Sequence, residues 1–228
     1  MLAQPHVRWE TAGSLDGGRA VWCLALLDEP IELPGDESPT IPYMAVTNRH
    51  GQPGACAVRA TAVRIVCANT FRAAELEGER TGATFAFAHR SSWRSRLDEA
   101  RQAVTGVRRE MAEYRVLAER LLGIEVTDRQ RELFIREFVP MPPAGLATDR
   151  VVHNVEEART SLRDILASPT TAQVAHTAYG LVQAAGEYLD HTRRARSWET
   201  RLGRTLIRPE PLKAKAKALA LVREVTHA

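Results

Sequence analysis

The stretch Thr47–Leu76, TNRHGQPGACAVRATAVRIVCANTFRAAEL, constrains the fold of this chain more than any other part of it. Two apolar runs, Tyr43–Val46 and Ala55–Ala62, flank Gly51, Pro53 and Gly54, and turn residues between two such runs write a β-hairpin with a longer loop. After Ala62 the residues Val63, Val66, Cys67, Thr70 and Ala74 recur at three and four, so the apolar period moves from two to about 3.6. The pattern predicts a hairpin that feeds directly into a helix. Arg64 and Asn69 then stand near the start of that helix, beside the edge of a sheet.

Around this unit the expected sheet is small. Arg8–Gly18 carries polar and turn residues, and Gly17-Gly18 opens the continuous apolar run Arg19–Leu27, expected as a buried strand. Asp28–Pro42 is acidic and holds Pro30, Pro34, Gly35, Pro39 and Pro42, which predicts a connecting loop with at most a short strand at Ile31–Leu33. A final strand is expected at Thr84–His89, where Phe85 and Phe87 alternate with small residues.

From Ser91 the pattern becomes helical. Ser91 or Ser92 can cap a long helix in which Trp93, Leu97, Ala100, Val104, Val107, Met111, Tyr114, Ala118 and Leu121 form a heptad seam, and such a seam needs a partner from this chain or from another copy. Thr127-Asp128-Arg129-Gln130 is a capping box that opens a second helix to about Phe138, stopped by Pro140, Pro142 and Pro143. Further helices are expected at Asn154–Ala167, Thr171–Arg194 and Pro211–Val225. Small residues in the penultimate helix, among them Ala178, Gly180, Ala184 and Gly186, allow close approach to the seam. The expected class is α+β: a small antiparallel sheet with a β-hairpin-helix unit in residues 1–90, then a C-terminal helical bundle in residues 91–228, as one composite domain.

Composition narrows the function classes. At 228 residues the chain can bury one generous core, and no apolar run reaches the length of a bilayer span. The N-terminus lacks a basic segment followed by an apolar one, so a soluble, unsecreted, cytoplasmic protein is expected, with Cys23, Cys56 and Cys67 as reduced core thiols. There is no phosphate loop, nucleophile elbow, H-E-x-x-H or strand-placed G-x-G-x-x-G, so neither an enzyme nor a cofactor is expected. His176, Glu187 and His191 could share a helix face, but their spacing is not that of a dedicated metal site, and a carboxylate–imidazole pair at a helix interface is the simpler expectation.

The net charge of +3 is unevenly placed. The portion through Ala62 is acidic, whereas Arg193, Arg194, Arg196, Arg201, Arg204, Arg208, Lys213, Lys215, Lys217 and Arg223 face only Glu199 and Glu210. Such a run permits a polyanion partner, although a solvated helix face produces the same pattern. Arg64 and Asn69 invite two interpretations. Arg64 reaches a phosphate or carboxylate of a ligand while Asn69 fixes a backbone or a base; or Arg64 pairs with an acidic residue and Asn69 satisfies the turn, and of these the second is preferred. His50 is expected as a loop histidine and Trp22 and Trp93 as core, whereas Trp9 and Trp198 have polar neighbours, which permits stacking on bases without requiring it.

The segments ETAGSLDGGRAVWCLALL at Glu10–Leu27, HGQPGACAVRATAVRIVCANTFRAA at His50–Ala74, FAHRSSWRSRLDEAR at Phe87–Arg101 and TAYGLVQAAGEYLDH at Thr177–His191 resemble a phage/plasmid-like protein family of unknown function, domain family 932. Members of that family carry a further portion before the ETAG-like segment, so the resemblance implies that the front of the domain is missing here. It also implies nucleic-acid transactions of a mobile element. The order of strand, hairpin, helix and helical tail is similar to phage single-strand annealing proteins of the RecT, Red-beta and Erf kind, which work as oligomers without ATP.

The function expected is ATP-independent binding or annealing of single-stranded DNA by a homo-oligomer. Arg49, Arg59, Arg64 and Asn69 would line a platform, with Arg204, Arg208, Lys213, Lys215 and Lys217 supplying phosphate contacts. The alternative is a non-catalytic structural or interaction protein that oligomerises, or docks a host protein, through the seam from Trp93 to Leu121.

Overall fold

Antiparallel pairing from Asn48↔Cys56 to Thr40↔Arg64 forms the expected hairpin, and it is the centre of the sheet. The computed structural model describes residues 7–27, 29–50, 55–64, 69–71, 85–88, 97–201 and 210–226. Seven strands are β1 (Arg8–Leu15), β2 (Ala20–Leu26), β3 (Ile31–Leu33), β4 (Asp36–Arg49), β5 (Ala55–Arg64), β6 (Asn69–Phe71) and β7 (Phe85–Ala88). The path runs β1-β2-β4-β5-β6, with β3 added to β4 and β7 added to β5. The class is α+β.

Three local expectations are corrected. Arg8–Leu15 is a strand paired with β2, because an edge strand with one wet face tolerates polar residues. Asp36–Pro42 is the first half of the 14-residue β4, not a loop: Pro34 and Gly35, the latter at φ 88°, make the tight turn from Leu33 to Asp36, and the carbonyl of Pro42 still accepts from Leu27 N at 3.2 Å. The helix after Ala62 is absent where the chain is described. Val63 and Arg64 continue β5, and Asn69–Phe71 return as β6 in the pairs Ala62↔Phe71, Val63↔Thr70 and Arg64↔Asn69. Ladder bonds to both neighbours outweigh a short helical period in a run this rich in β-branched residues. Residues 65–68, where Val66 and Cys67 lie, are outside the described residues, as are Trp93 and the proposed caps Ser91 and Ser92.

The register places Ala25, Met44, Ala60 and then Val58, Ala62 and Arg64 on one face of the sheet, and the apolar members join the core shared with the helices. The helices are α1 (Leu97–Leu122), α2 (Asp128–Phe138), α3 (Asp149–Ala167), α4 (Ala178–Glu187) and α5 (Glu210–Thr226). Thr127 caps α2 with the expected box, its hydroxyl accepting from Gln130 N while its own N–H reaches the Gln130 side chain. Thr148 starts α3 five residues before the expected Asn154. The expected helix Thr171–Arg194 is divided into a 3₁₀ turn at Ala172–Val174, α4, and a π-helical turn at Tyr188–Thr192.

Val107, Met111, Tyr114, Ala118 and Leu121 of the seam are buried. Their partner is this chain: α1 packs on β5, β4 and β3 and against α4. Helix α4 is buried on every side from Ala178 to Gly186, which its small residues permit. At Gly180 a Cβ would lie 2.0 Å from the carbonyl oxygen of Val174, so the turn before α4 folds directly onto the helix only because no side chain stands there.

Polar groups bolt the two layers together. Arg64 is 1% exposed, and its Nε and Nη2 meet both oxygens of the buried Asp36 at 2.7 and 2.6 Å. Its Nη1 donates to the carbonyl of Thr170 at 2.5 Å, and Gln173 Nε2 donates to Asp36 at 3.0 Å, which ties the sheet to the segment before α4. Burial alone would raise the Asp36 pKa, but Arg64, the Ser38 amide and Gln173 outweigh it and hold the carboxyl below its ordinary value. Glu110 on α1 is the opposite case. It is buried, its Oε1 has no hydrogen-bond partner, and burial followed by the Glu113 charge pushes it up to about 7 against a weaker opposing effect of Arg109.

Replacing Asp36 by Asn should leave the Arg64 charge buried without its counterion and lower stability by about 3–5 kcal/mol. Urea unfolding measures this, and a loss below about 1 kcal/mol would mean the pair is hydrated in solution. For Glu110, the native carboxyl stays protonated at pH values where the unfolded one, near 4.5, has released its proton. Its contribution is therefore full below pH 4.5 and lost as pH rises through about 7. Glu110→Gln should flatten that part of the stability–pH curve, and an unaltered curve would contradict the assignment.

Candidate nucleic-acid interface

The expected platform of four residues does not form one surface. Arg64 faces the helices and is sealed in its pair with Asp36, so the pairing preferred from sequence is the one found, with the acid 28 residues upstream. Arg59 lies on the opposite sheet face, half-buried, its Nη1 donating to Thr47 Oγ1 at 2.9 Å. Arg49 closes β4 opposite Ala20, and Asn69 begins β6 opposite Arg64 instead of standing on a helix. Nothing in this arrangement aims Arg64 at a phosphate.

The basic tail is divided in the same way. Lys215 is 3% exposed and its Nζ sits 2.8 Å from Asp190 Oδ2, a buried ion pair between α5 and the π-helical turn. Lys217 Nζ donates to the carbonyls of Glu137 at 2.7 Å and Phe138 at 3.4 Å, placing a cation on the C-terminus of α2, where the helix dipole favours one. Lys213 is exposed. Arg204 and Arg208 lie outside the described residues. Two of the three tail lysines therefore hold α5 in place.

What remains outward is a short arm that begins where α4 ends. The π-helical turn Tyr188–Thr192 closes with Arg193 N donating to Tyr188 O at 2.7 Å. Asp190 points inward to Lys215, and the Arg201 guanidinium donates back to the carbonyls of His191 and, at 3.4 Å, Asp190. Between these anchors Arg194 meets Glu157 of α3, with Nη2 at 3.0 and 3.1 Å from its two oxygens. Arg193 and Arg196 are exposed, and Trp198 is 66% exposed. An indole left in water among arginines is unusual for a side chain that buries so readily. Tyr188, half-buried beside them, has its hydroxyl pushed up by burial, with Arg193 lowering it and Glu157 raising it.

The sequence carried this signal, since Arg193, Arg194, Arg196, Trp198 and Arg201 lie within nine positions. It was obscured because the helix expected to run unbroken to Arg194 separated Arg193 and Arg194 from Arg196, Trp198 and Arg201. Trp9, the other exposed tryptophan, is on the edge strand β1, with Arg8 and Glu10 as charged neighbours. The His176, Glu187 and His191 set does not converge: Glu187 accepts from Thr170 Oγ1 at 2.9 Å while both histidines are exposed, and among the described residues no group of three His, Cys, Asp or Glu could hold a metal. Cys23 and Cys56 are free, half-buried thiols whose pKa values burial raises. No described helix is long and apolar enough to cross a membrane.

The two lysines separated by two positions provide a test of this division. Lys215→Met should destabilise the protein by about 3–5 kcal/mol, since it removes the buried cation from Asp190. Lys213→Met should leave the unfolding free energy measured in urea within about 0.5 kcal/mol of the parent. Equal losses would show that the Lys215 pair is not buried in solution.

A family model described as Domain of unknown function (DUF932) matches residues 1–207, which include the whole described sheet, α1 to α4 and the arm. No curated protein and no solved structure matches the chain. With nine-tenths of its length inside that match, the chain belongs to the DUF932 family.

Proposed function

We propose that this chain binds single-stranded DNA without ATP, using the arm from Arg193 to Arg201 as its contact surface. The observation that carries this is Trp198, an indole 66% exposed that follows the exposed Arg193 and Arg196 in the chain. An aromatic face stacks on any unpaired base, and guanidinium groups beside it take the adjoining phosphates, which is how sequence-tolerant single-strand binding works. Lys213, exposed on α5, is a further cation available to phosphates. Duplex DNA buries its base faces and offers only its phosphates to such a site.

The competing expectation, oligomerisation or host docking through the seam from Trp93 to Leu121, is less favoured because Val107, Met111, Tyr114, Ala118 and Leu121 are buried, with α1 packed on the sheet and α4; Trp93 lies outside the described residues. Annealing would require a further surface that brings two bound strands together, and that belongs to the proposal only if binding is found first.

Fluorescence anisotropy with labelled oligonucleotides tests the proposal. Single strands should bind more tightly than duplexes, with log K falling by about 0.7 per phosphate contact for each unit of log salt. Trp198→Ala should weaken single-strand binding by about 5- to 150-fold, the range of one lost base stack. Replacing Arg193 and Arg196 by Gln should reduce the salt slope by about 1.4, twice the value for one phosphate. Equal affinity for both DNA forms, or no change with Trp198→Ala, would remove the arm from the proposal.

A further inference from the structure

Arg194 differs from its neighbours on the arm. Arg193 and Arg196 make no ion pair among the described residues, whereas Arg194 sits on the carboxylate of Glu157 from a helix 37 positions upstream. The contact geometry is weak. One nitrogen, Nη2, serves both oxygens at 3.0 and 3.1 Å, in contrast to the two-nitrogen fork that Arg163 makes with Glu132 at 2.9 and 2.8 Å. The Arg194 side chain is 81% exposed and that of Glu157 46% exposed, so water and salt screen the pair and it stabilises the fold little. Glu156, the adjacent acid on α3, is engaged by Arg159 at 2.9 Å.

A carboxylate and a phosphodiester present the same feature to a guanidinium, namely one negative charge shared by two terminal oxygens. Arg194 lies directly between Arg193 and Arg196 in sequence, so a strand that reaches those two passes it. We propose that Glu157 is a built-in competitor for the nucleic-acid phosphate: it occupies Arg194 in the free protein, is displaced when a strand binds, and so sets the affinity of the arm. This rests on the single-strand reading above and adds a regulatory residue to it. The exchange is of one anion for another on the same cation, with no covalent step. Arg193 and Glu157 both act on the Tyr188 hydroxyl, the first lowering and the second raising its pKa, so the competitor stands close to the root of the arm.

The test is a double-mutant cycle read by anisotropy with a labelled oligothymidylate and, in parallel, a duplex of the same length. Glu157→Gln should tighten single-strand binding by about three- to tenfold at low salt and leave the salt slope nearly unchanged, because Arg194 meets a phosphate in both complexes. Arg194→Gln should weaken binding, and in that background Glu157→Gln should have no further effect. Thermal unfolding of each variant checks that the fold is retained, as an exposed pair of this kind predicts.

Unchanged affinity in Glu157→Gln overturns the competitor while leaving the single-strand reading standing. The same gain with and without Arg194 also overturns it, because the carboxylate would then act only as a distant repelling charge. Binding by Glu157→Gln but not by the parent protein supports it in its strongest form. If neither protein binds the oligothymidylate at low salt, the single-strand reading fails and the competitor falls with it.

Discussion

The sheet and the helical layer meet at a buried ion pair, and the placement of everything C-terminal to it depends on that contact. Asp36 opens β4 and Arg64 ends β5, so the pair spans the hairpin at the end remote from its loop. Removing both charges from water is expensive, and it is sustained because nearly every valence is filled: two guanidinium nitrogens on two carboxylate oxygens, a third nitrogen on Thr170, and Ser38 and Gln173 on Asp36. Apolar contact alone would let the helices slide on a face of Ala60, Ala62 and Met44. Directional bonds to Thr170 and Gln173 set where the segment before α4 must lie.

From that anchor the rest of the helical layer follows by close approach. Gly180 admits the backbone of Val174, which lets the chain enter α4 immediately after the bonds to Arg64 and Asp36. Helix α4 is then enclosed by α1, α3 and α5, and its end widens into the π-helical turn that presents Asp190 to Lys215. The second buried pair thus fixes α5 much as the first fixes the sheet. Lys215, unlike Arg64, is a cation that sequence alone assigns to the surface.

The candidate interface is what these two anchors leave outside. Basic residues in this chain fall into those that build the fold and those that face water, and sequence position does not separate them: Lys213 is exposed while Lys215 is buried, and Arg194 rests on Glu157 while Arg193 and Arg196 stand clear. An inventory of positive charge therefore overstates the surface available to a polyanion. Trp198 adds to the charge count an exposed aromatic face, which positive charge alone does not supply.

Local patterns in the sequence determined the hairpin, the strand Ala20–Leu26, the capping box at Thr127, the buried seam of α1 and the small-residue character of α4, because each is written in neighbours within one or two turns. Tertiary structure decided the rest. It took Asp36–Pro42 into a strand despite two prolines, kept Val63 and Arg64 in β5, and closed the seam against a sheet as well as a helix. It also decided which side chains can act on a ligand. Arg64 found Asp36 across 28 residues and Lys215 found Asp190 across 25, and no local pattern records such distances, since the free energy of a buried charge depends on which partner the completed fold brings to it.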